Sequence, residues 1–163
     1  MKFQKMPRPL NGAILFLTFG FVGLIPWAPG TFGTLAAMPF LYLLGRWQIP
    51  WVLIVPFLII LTAGACFLSH HIQNTHHVKD PGWIVIDEVI GICVTWLFWP
   101  TGNLKHLVGL FLLFRFFDII KIWPASYFDK EVNHGSGVIL DDIVSGIYAG
   151  LSFLLIQKIL PFA

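Results

Sequence analysis

The chain has 163 residues, of which 57% are hydrophobic and 11% charged, and its mean hydropathy is +0.81. A typical globular chain carries roughly 25% charged residues. Too little charge is present to cover a water-facing surface, so a soluble monomer is nearly ruled out and a disordered chain excluded. The formal net charge of +2 and the scattered basic residues argue against a nucleic-acid partner.

Apolar runs occupy 11–26, 31–46, 51–69, 84–99, 104–120 and 138–160. A bilayer span takes about 20 residues, with about 17 as the lower edge. The first run is short, carries Gly12, Gly20 and Gly23, and ends at Pro26 and Pro29. It is expected not to cross. The pattern predicts an all-α integral membrane protein: a helical bundle of about five transmembrane helices plus an N-terminal re-entrant or interfacial helix. One domain is expected over 1–163. Lys2, Lys5 and Arg8 precede an apolar run, as in a signal peptide, but no small-x-small cleavage site follows, so the segment is expected to be retained.

With the first run not crossing, Lys2, Lys5, Arg8, Lys79, Lys121 and Lys130 fall on one side and Arg46, Lys105 and Lys158 on the other. The bias puts the N-terminus in the cytoplasm and the C-terminus outside. Trp27, Trp83 and Trp123 are then expected at the inner interface. Trp47, Trp51, Trp96 and Trp99 are expected at or near the outer one. Cys66 and Cys93, both inside apolar runs, read as small hydrophobes.

Five acids lie within or at the ends of these runs: Asp87, Glu88, Asp118, Asp141 and Asp142, accompanied by Arg115 and Lys121. An Asp at a span centre costs roughly 2.5–3.5 kcal/mol, and less near an end. Asp87 and Glu88 come about one turn into the fourth run, and Asp118 about one turn before the end of the fifth. Asp141 and Asp142 come about one turn into the sixth. Consecutive spans alternate in direction, so the acids converge at one depth below the cytoplasmic surface. Two cations cannot neutralise five carboxylates, and a divalent cation is the natural counter-charge. Clustered carboxylate oxygens suit Mg²⁺, which keeps waters and shares phosphate. The competing reading pairs the acids with Arg115 and Lys121 as helix glue. Arg115, Asp118 and Lys121, spaced i, i+3 and i+6, drift along one side of a helix and suit metal and phosphate together. An ion-coupled transporter or channel is the rival class, but it wants midplane acids and inverted repeats.

The string Pro29-Gly30-Thr31-Phe32-Gly33-Thr34-Leu35 opens the second run. Thr31, Thr34 or the amides around Gly33 can cradle a phosphate at a helix N-terminus. An ordinary turn with a Thr N-cap explains the string equally well. Gly135-Ser136-Gly137 again brings glycine into a helix before the acids, and Gly146 and Gly150 form a GxxxG expected to serve helix packing. His70, His71, His76 and His77 read as a loop and not as a metal site, because helical ligand pairs take i, i+4 spacing. His134 and Asp80 stay unassigned.

Four strings in this order, Pro29–Leu35, Lys79–Gly91 (KDPGWIVIDEVIG), Phe114–Lys121 (FRFFDIIK) and Gly137–Asp142 (GVILDD), resemble the phosphatidylglycerophosphatase A family. The resemblance covers roughly residues 20 to 150. It implies a bacterial inner-membrane, multi-pass enzyme with its active site facing the cytoplasm. The implied reaction is Mg²⁺-dependent hydrolysis of a phospholipid substrate, phosphatidylglycerol phosphate, to phosphatidylglycerol and phosphate. Asp87, Glu88, Asp118, Asp141 and Asp142 are the expected catalytic and metal-binding residues. Arg115, Lys121, Thr31, Gly33 and Thr34 are expected on the substrate phosphate. Lys121-Ile122-Trp123-Pro124 stands where the family usually reads Lys-Pro-Trp-Pro, which is expected to alter how sharply the fifth helix ends. The histidine-based lipid-phosphatase pattern (PSGH with SRxxxxxHxxxD) and the DxDG motif are absent, so attack by metal-activated water is the expected mechanism.

Overall fold

A computed structural model of the protein describes residues 11–76, 81–132 and 135–160, and these are all helix, turn or loop. The helices are α1 (Gly12–Leu17), α2 (Pro29–Arg46), α3 (Trp51–His76), α4 (Ile86–Phe98), α5 (Leu104–Ile120), α6 (Ala125–Glu131) and α7 (Gly135–Ile159), with a 3₁₀ turn at Val22–Leu24.

Local chemistry sets the ends. Asn11 caps α1 by accepting from the Ile14 N–H at 3.0 Å, and Asn103 caps α5 by accepting from the Lys105 N–H at 2.9 Å. Pro29 opens α2, where its missing N–H removes nothing from the helix. α5 stops at Lys121, whose left-handed backbone (φ 49°) turns its N–H onto the Phe117 carbonyl at 2.8 Å. The helix thus ends without a proline at position 122.

α1 is 6 residues long, about 9 Å at 1.5 Å per residue, far short of a bilayer core of about 30 Å. Its last residue accepts a backbone hydrogen bond from the Val85 N–H at 2.9 Å, which docks this segment beside the start of α4. Two helices, over Trp51–Thr75 and Gly135–Ile159, are long and apolar enough to cross a membrane. On α3, Phe57, Ile60 and Phe67 all face outward. α4 has 13 residues, about 20 Å. It is enclosed by α2, α3, α5 and α7, with both faces of the helix buried.

α4 and α7 run side by side and meet at glycines. A Cβ on Gly146 would collide with the Gly91 carbonyl oxygen, and one on Gly91 would meet the Phe114 ring and the Asp142 carbonyl. Only hydrogen permits this approach. The Thr95 hydroxyl sits in the crossing, 3.0 Å from the Gly91 carbonyl and 3.2 Å from that of Gly146. Gly150 packs on Phe98, so the GxxxG serves packing as expected.

Three sequence expectations are corrected. Trp83 and Trp96 are buried and cannot belong to an interfacial belt; the Trp96 indole N–H donates inward to the Thr101 carbonyl at 3.0 Å. Trp27, Trp47, Trp51 and Trp123 are exposed. α3 continues through His70 and His71 to His76, so these histidines lie on a helix and not in a loop, while His77 and Asp80 lie outside the described residues. α7 begins at Gly135, before the apolar run, which places Asp141 and Asp142 nearly two turns inside it.

Candidate active site

Helix direction brings the acids together. Gly30 at the start of α2 faces Glu88 at the start of α4, while Gly45 near the end of α2 meets Thr101 beyond the end of α4. Gly135 at the start of α7 packs on Ser69 and His70 near the end of α3. The starts of α2, α4 and α7 and the ends of α3 and α5 therefore share one end of the bundle.

Asp87 and Glu88 occupy the first turn of α4, where the helix dipole favours negative charge. The Asp87 carboxylate also accepts from the Glu88 N–H at 3.1 Å. One turn later comes Gly91. Asp142 precedes Gly146 by the same interval on α7. The glycine crossing thus brings Asp142 against the α4 pair, and ligand oxygens of Asp87, Glu88 and Asp142 all lie within 4.8 Å of one another. Glu88 Oε2 is buried and has no hydrogen-bond partner among the described residues. Asp118 on α5 is an electrostatic neighbour of Asp142 and joins the cluster from that helix.

The cations divide the acids into two classes. Arg115 Nη1 pairs with Asp118 Oδ2 at 2.5 Å, with the two side chains 17% and 11% exposed. Lys121 Nζ lies 2.5 Å from Asp141 Oδ2 and 2.7 Å from Asp129 Oδ1. Burial pulls the Lys121 pKa down, but the hydrogen bonds it donates to Asp129 and Asp141 outweigh this, so the pKa is raised and the ammonium stays charged. Asp118 and Asp141 therefore each have a cation. The other three, Asp87, Glu88 and Asp142, are the ones whose oxygens lie close enough together to share a metal.

The glycine-threonine segment reaches this site differently from the expectation. It is the first two turns of α2, not a loop ahead of the helix. Gly30 does the approaching: a Cβ there would collide with Glu88 Oε1 and lie 3.3 Å from Arg115 Nη1. Gly33 packs on Val85. The Thr34 hydroxyl donates to the Gly30 carbonyl at 2.9 Å inside its own helix, while Thr31 is half-buried in the first turn. Gly135 and Gly137 are packing residues; Gly137 lies against the Phe128 and Val132 carbonyls.

The model of the family described as phosphatidylglycerophosphatase A matches residues 15–157. The chain belongs to the phosphatidylglycerophosphatase A family. A phosphatidylglycerophosphatase A from Escherichia coli (strain K12) is 37% identical over 155 residues, covering 93% of this chain and 86% of the relative. One from Haemophilus influenzae is 36% identical over 157 residues, covering 91% of each. A relative from Bacteroides thetaiotaomicron, provisionally named a phosphatidylinositol-3-phosphatase, is 30% identical over 158 residues, covering 93% of this chain and 95% of the relative. No solved structure matches the chain.

Sequence reasoning missed Asp129. It lies on α6, between the apolar runs, where a charge needs no explanation. The signal that singled out the acids within the apolar runs therefore passed over it.

Proposed function

We propose that the protein is a membrane-embedded phosphatidylglycerophosphatase, hydrolysing phosphatidylglycerol phosphate to phosphatidylglycerol and phosphate. The observation that carries this reading, in a chain of this family, is the trio Asp87, Glu88 and Asp142 beside Arg115 and the start of α2.

The residues fit a divalent cation. All donors are carboxylate oxygens, the preference of Mg²⁺, and the partnerless Glu88 Oε2 is a buried acceptor that a cation would satisfy. Asp87, Glu88 and Asp142 would hold it. When bound, such an ion neutralises phosphoryl charge and makes water a better nucleophile.

The chain's own groups do the rest. Asp118 lies in ion-pair contact with one nitrogen of the Arg115 guanidinium, Nη1, and neither Nη1 nor Nε makes a hydrogen bond of good geometry among the described residues. A fixed guanidinium with a free donor suits a phosphoryl oxygen and the charge that grows on it in the transition state. The Gly30 and Thr31 amides open α2 on the same side, since the Phe32 N–H already donates to the Ala28 carbonyl at 3.2 Å. The Thr34 hydroxyl is engaged with its own helix, so the phosphate role proposed for that segment passes to these amides. A carboxylate of the cluster takes the proton of the attacking water. Enclosure by α2, α5 and α7 limits access of bulk water.

In this reading the chain is a single unit in the bacterial inner membrane. α2, α3, α5 and α7 meet lipid, α4 crosses shielded among them, and α1 does not cross. The site lies at the cytoplasmic end. In a cysteine-free background, a cysteine at residue 3 is expected to be labelled only from the cytoplasmic side; labelling from outside contradicts the topology.

The transporter alternative gains no support from the comparisons. The Bacteroides relative favours a second substrate, a phosphoinositide monoester. Phosphate release by purified protein, with phosphatidylglycerol phosphate and phosphatidylinositol 3-phosphate in parallel micelles, decides between them. Faster turnover of the glycerol phosphate lipid is expected, and the reverse order would reassign the substrate. In the same assay Arg115→Lys is expected to lose at least ~10-fold in rate, because Lys lacks the planar fork that binds Asp118 and phosphate at once. Unchanged activity would remove Arg115 from the phosphate site.

A further inference from the structure

The geometry points to Asp129 as a positioning residue that holds Lys121 in place at the edge of the carboxylate site. The inference rests on the phosphatase reading and adds a residue to it.

Lys121 is unusual in its backbone as well as its partners. It sits at φ 49°, a left-handed conformation that residues other than glycine rarely adopt. That conformation ends α5 and sends the chain through Trp123 and Pro124 into α6. The side chain is 30% exposed and lies between two carboxylates, Asp129 on one side and Asp141 on the other. Asp141 is almost fully buried, and its second oxygen, Oδ1, has no hydrogen-bond partner among the described residues. With Asp141 as its sole partner, a flexible ammonium stem could follow either oxygen of that carboxylate or swing toward the other acids nearby. Asp129 restricts it to Oδ2, so Asp141 Oδ1 stays available.

The fold is built to deliver Asp129. α6 is seven residues long and packs along the start of α7. The contact is close because position 137 is glycine: a Cβ there would press on the Phe128 carbonyl next to Asp129. The connection from α5 is tied down as well, since the Tyr148 hydroxyl on α7 donates to the Trp123 carbonyl at 2.9 Å. Asp129 thus joins Asp141 on the Lys121 ammonium, as a second carboxylate that comes from α6.

A positioning role acts through Lys121 alone, and a double-mutant cycle reads that dependence. In full-length purified protein, Asp129→Asn is expected to lower kcat for phosphatidylglycerol phosphate about 10-fold, with KM and the half-saturating Mg²⁺ concentration unchanged. Asp129→Glu, which keeps the charge, is expected to recover most of the loss. Lys121→Gln alone is expected to lose about as much or more, and adding Asp129→Asn to it should lower kcat no further. Wild-type kcat in Asp129→Asn, or independent and multiplying losses in the double variant, would overturn the assignment. So would failure of the Glu variant to recover kcat while its melting temperature matches wild type. Absence of turnover in the wild-type protein is a different result and refutes the phosphatase reading itself.

Discussion

Asp142→Asn is expected to give a well-folded protein that has lost ~100-fold or more of its phosphatase activity. Asp142 lies in the trio whose oxygens can share a metal, with Glu88, Asp118 and Asp141 as its electrostatic neighbours. Removing one negative charge from such a group relieves repulsion in the metal-free protein, so the melting temperature should hold or rise. The same change removes a ligand oxygen's charge, and losses in and around metal sites typically run 10–100-fold or beyond. Residual activity should need more Mg²⁺. Melting temperature and Mg²⁺-dependent phosphate release, measured on one preparation, check both halves. Full activity with a lowered melting point would make Asp142 a structural residue.

Gly146→Ala is expected to lower both stability and activity, although it adds a single methyl group and changes no charge. The new Cβ meets the Gly91 backbone, which cannot rotate away, and lies 3.3 Å from the Thr95 hydroxyl. α4 and α7 must separate. Overpacking of this kind costs about 1–3 kcal/mol, or a fall of roughly 2–12 °C in Tm for a chain of this size. Asp87 and Asp142 each precede the crossing by one turn, so the separation also opens the carboxylate trio and Mg²⁺ affinity should fall. Gly64→Ala on α3 is the control, since a Cβ there meets nothing within 4 Å. It should leave Tm and activity as they are. Equal effects of the two substitutions would show that the crossing does not set the site.

The convergence of the acids was legible in the sequence because it rests on two robust quantities: the unfavourable energy of a carboxylate in an apolar run and the alternation of direction between consecutive runs. Asp87, Glu88, Asp118 and Asp142 meet for that reason. The division of the acids was not legible. Whether Asp141 belongs to a metal or to Lys121 depends on where α6 puts Asp129, and a short helix between spans has no hydropathy signature. The tryptophans show the same limit. Trp83 and Trp96 sit at the ends of apolar runs, as belt residues do, and only the packing of α4 in the middle of the bundle buries them. The shortness of α4 was hidden for a related reason. Residues 84 and 85 and Trp99 extend the apolar run, but they lie in non-helical connections covered by other parts of the chain. At the start of α2, composition pointed to the threonine hydroxyls, while the close approach is made by the one residue with no side chain, Gly30.

The most direct test of the account is Mg²⁺-titrated phosphate release from phosphatidylglycerol phosphate by the purified, chelator-treated protein. The account predicts no turnover in excess chelator, saturable recovery as Mg²⁺ is added back, and a recovery curve displaced to higher Mg²⁺ in Asp142→Asn. Undiminished phosphate release in excess chelator would contradict the assignment of Asp87, Glu88 and Asp142 to a metal.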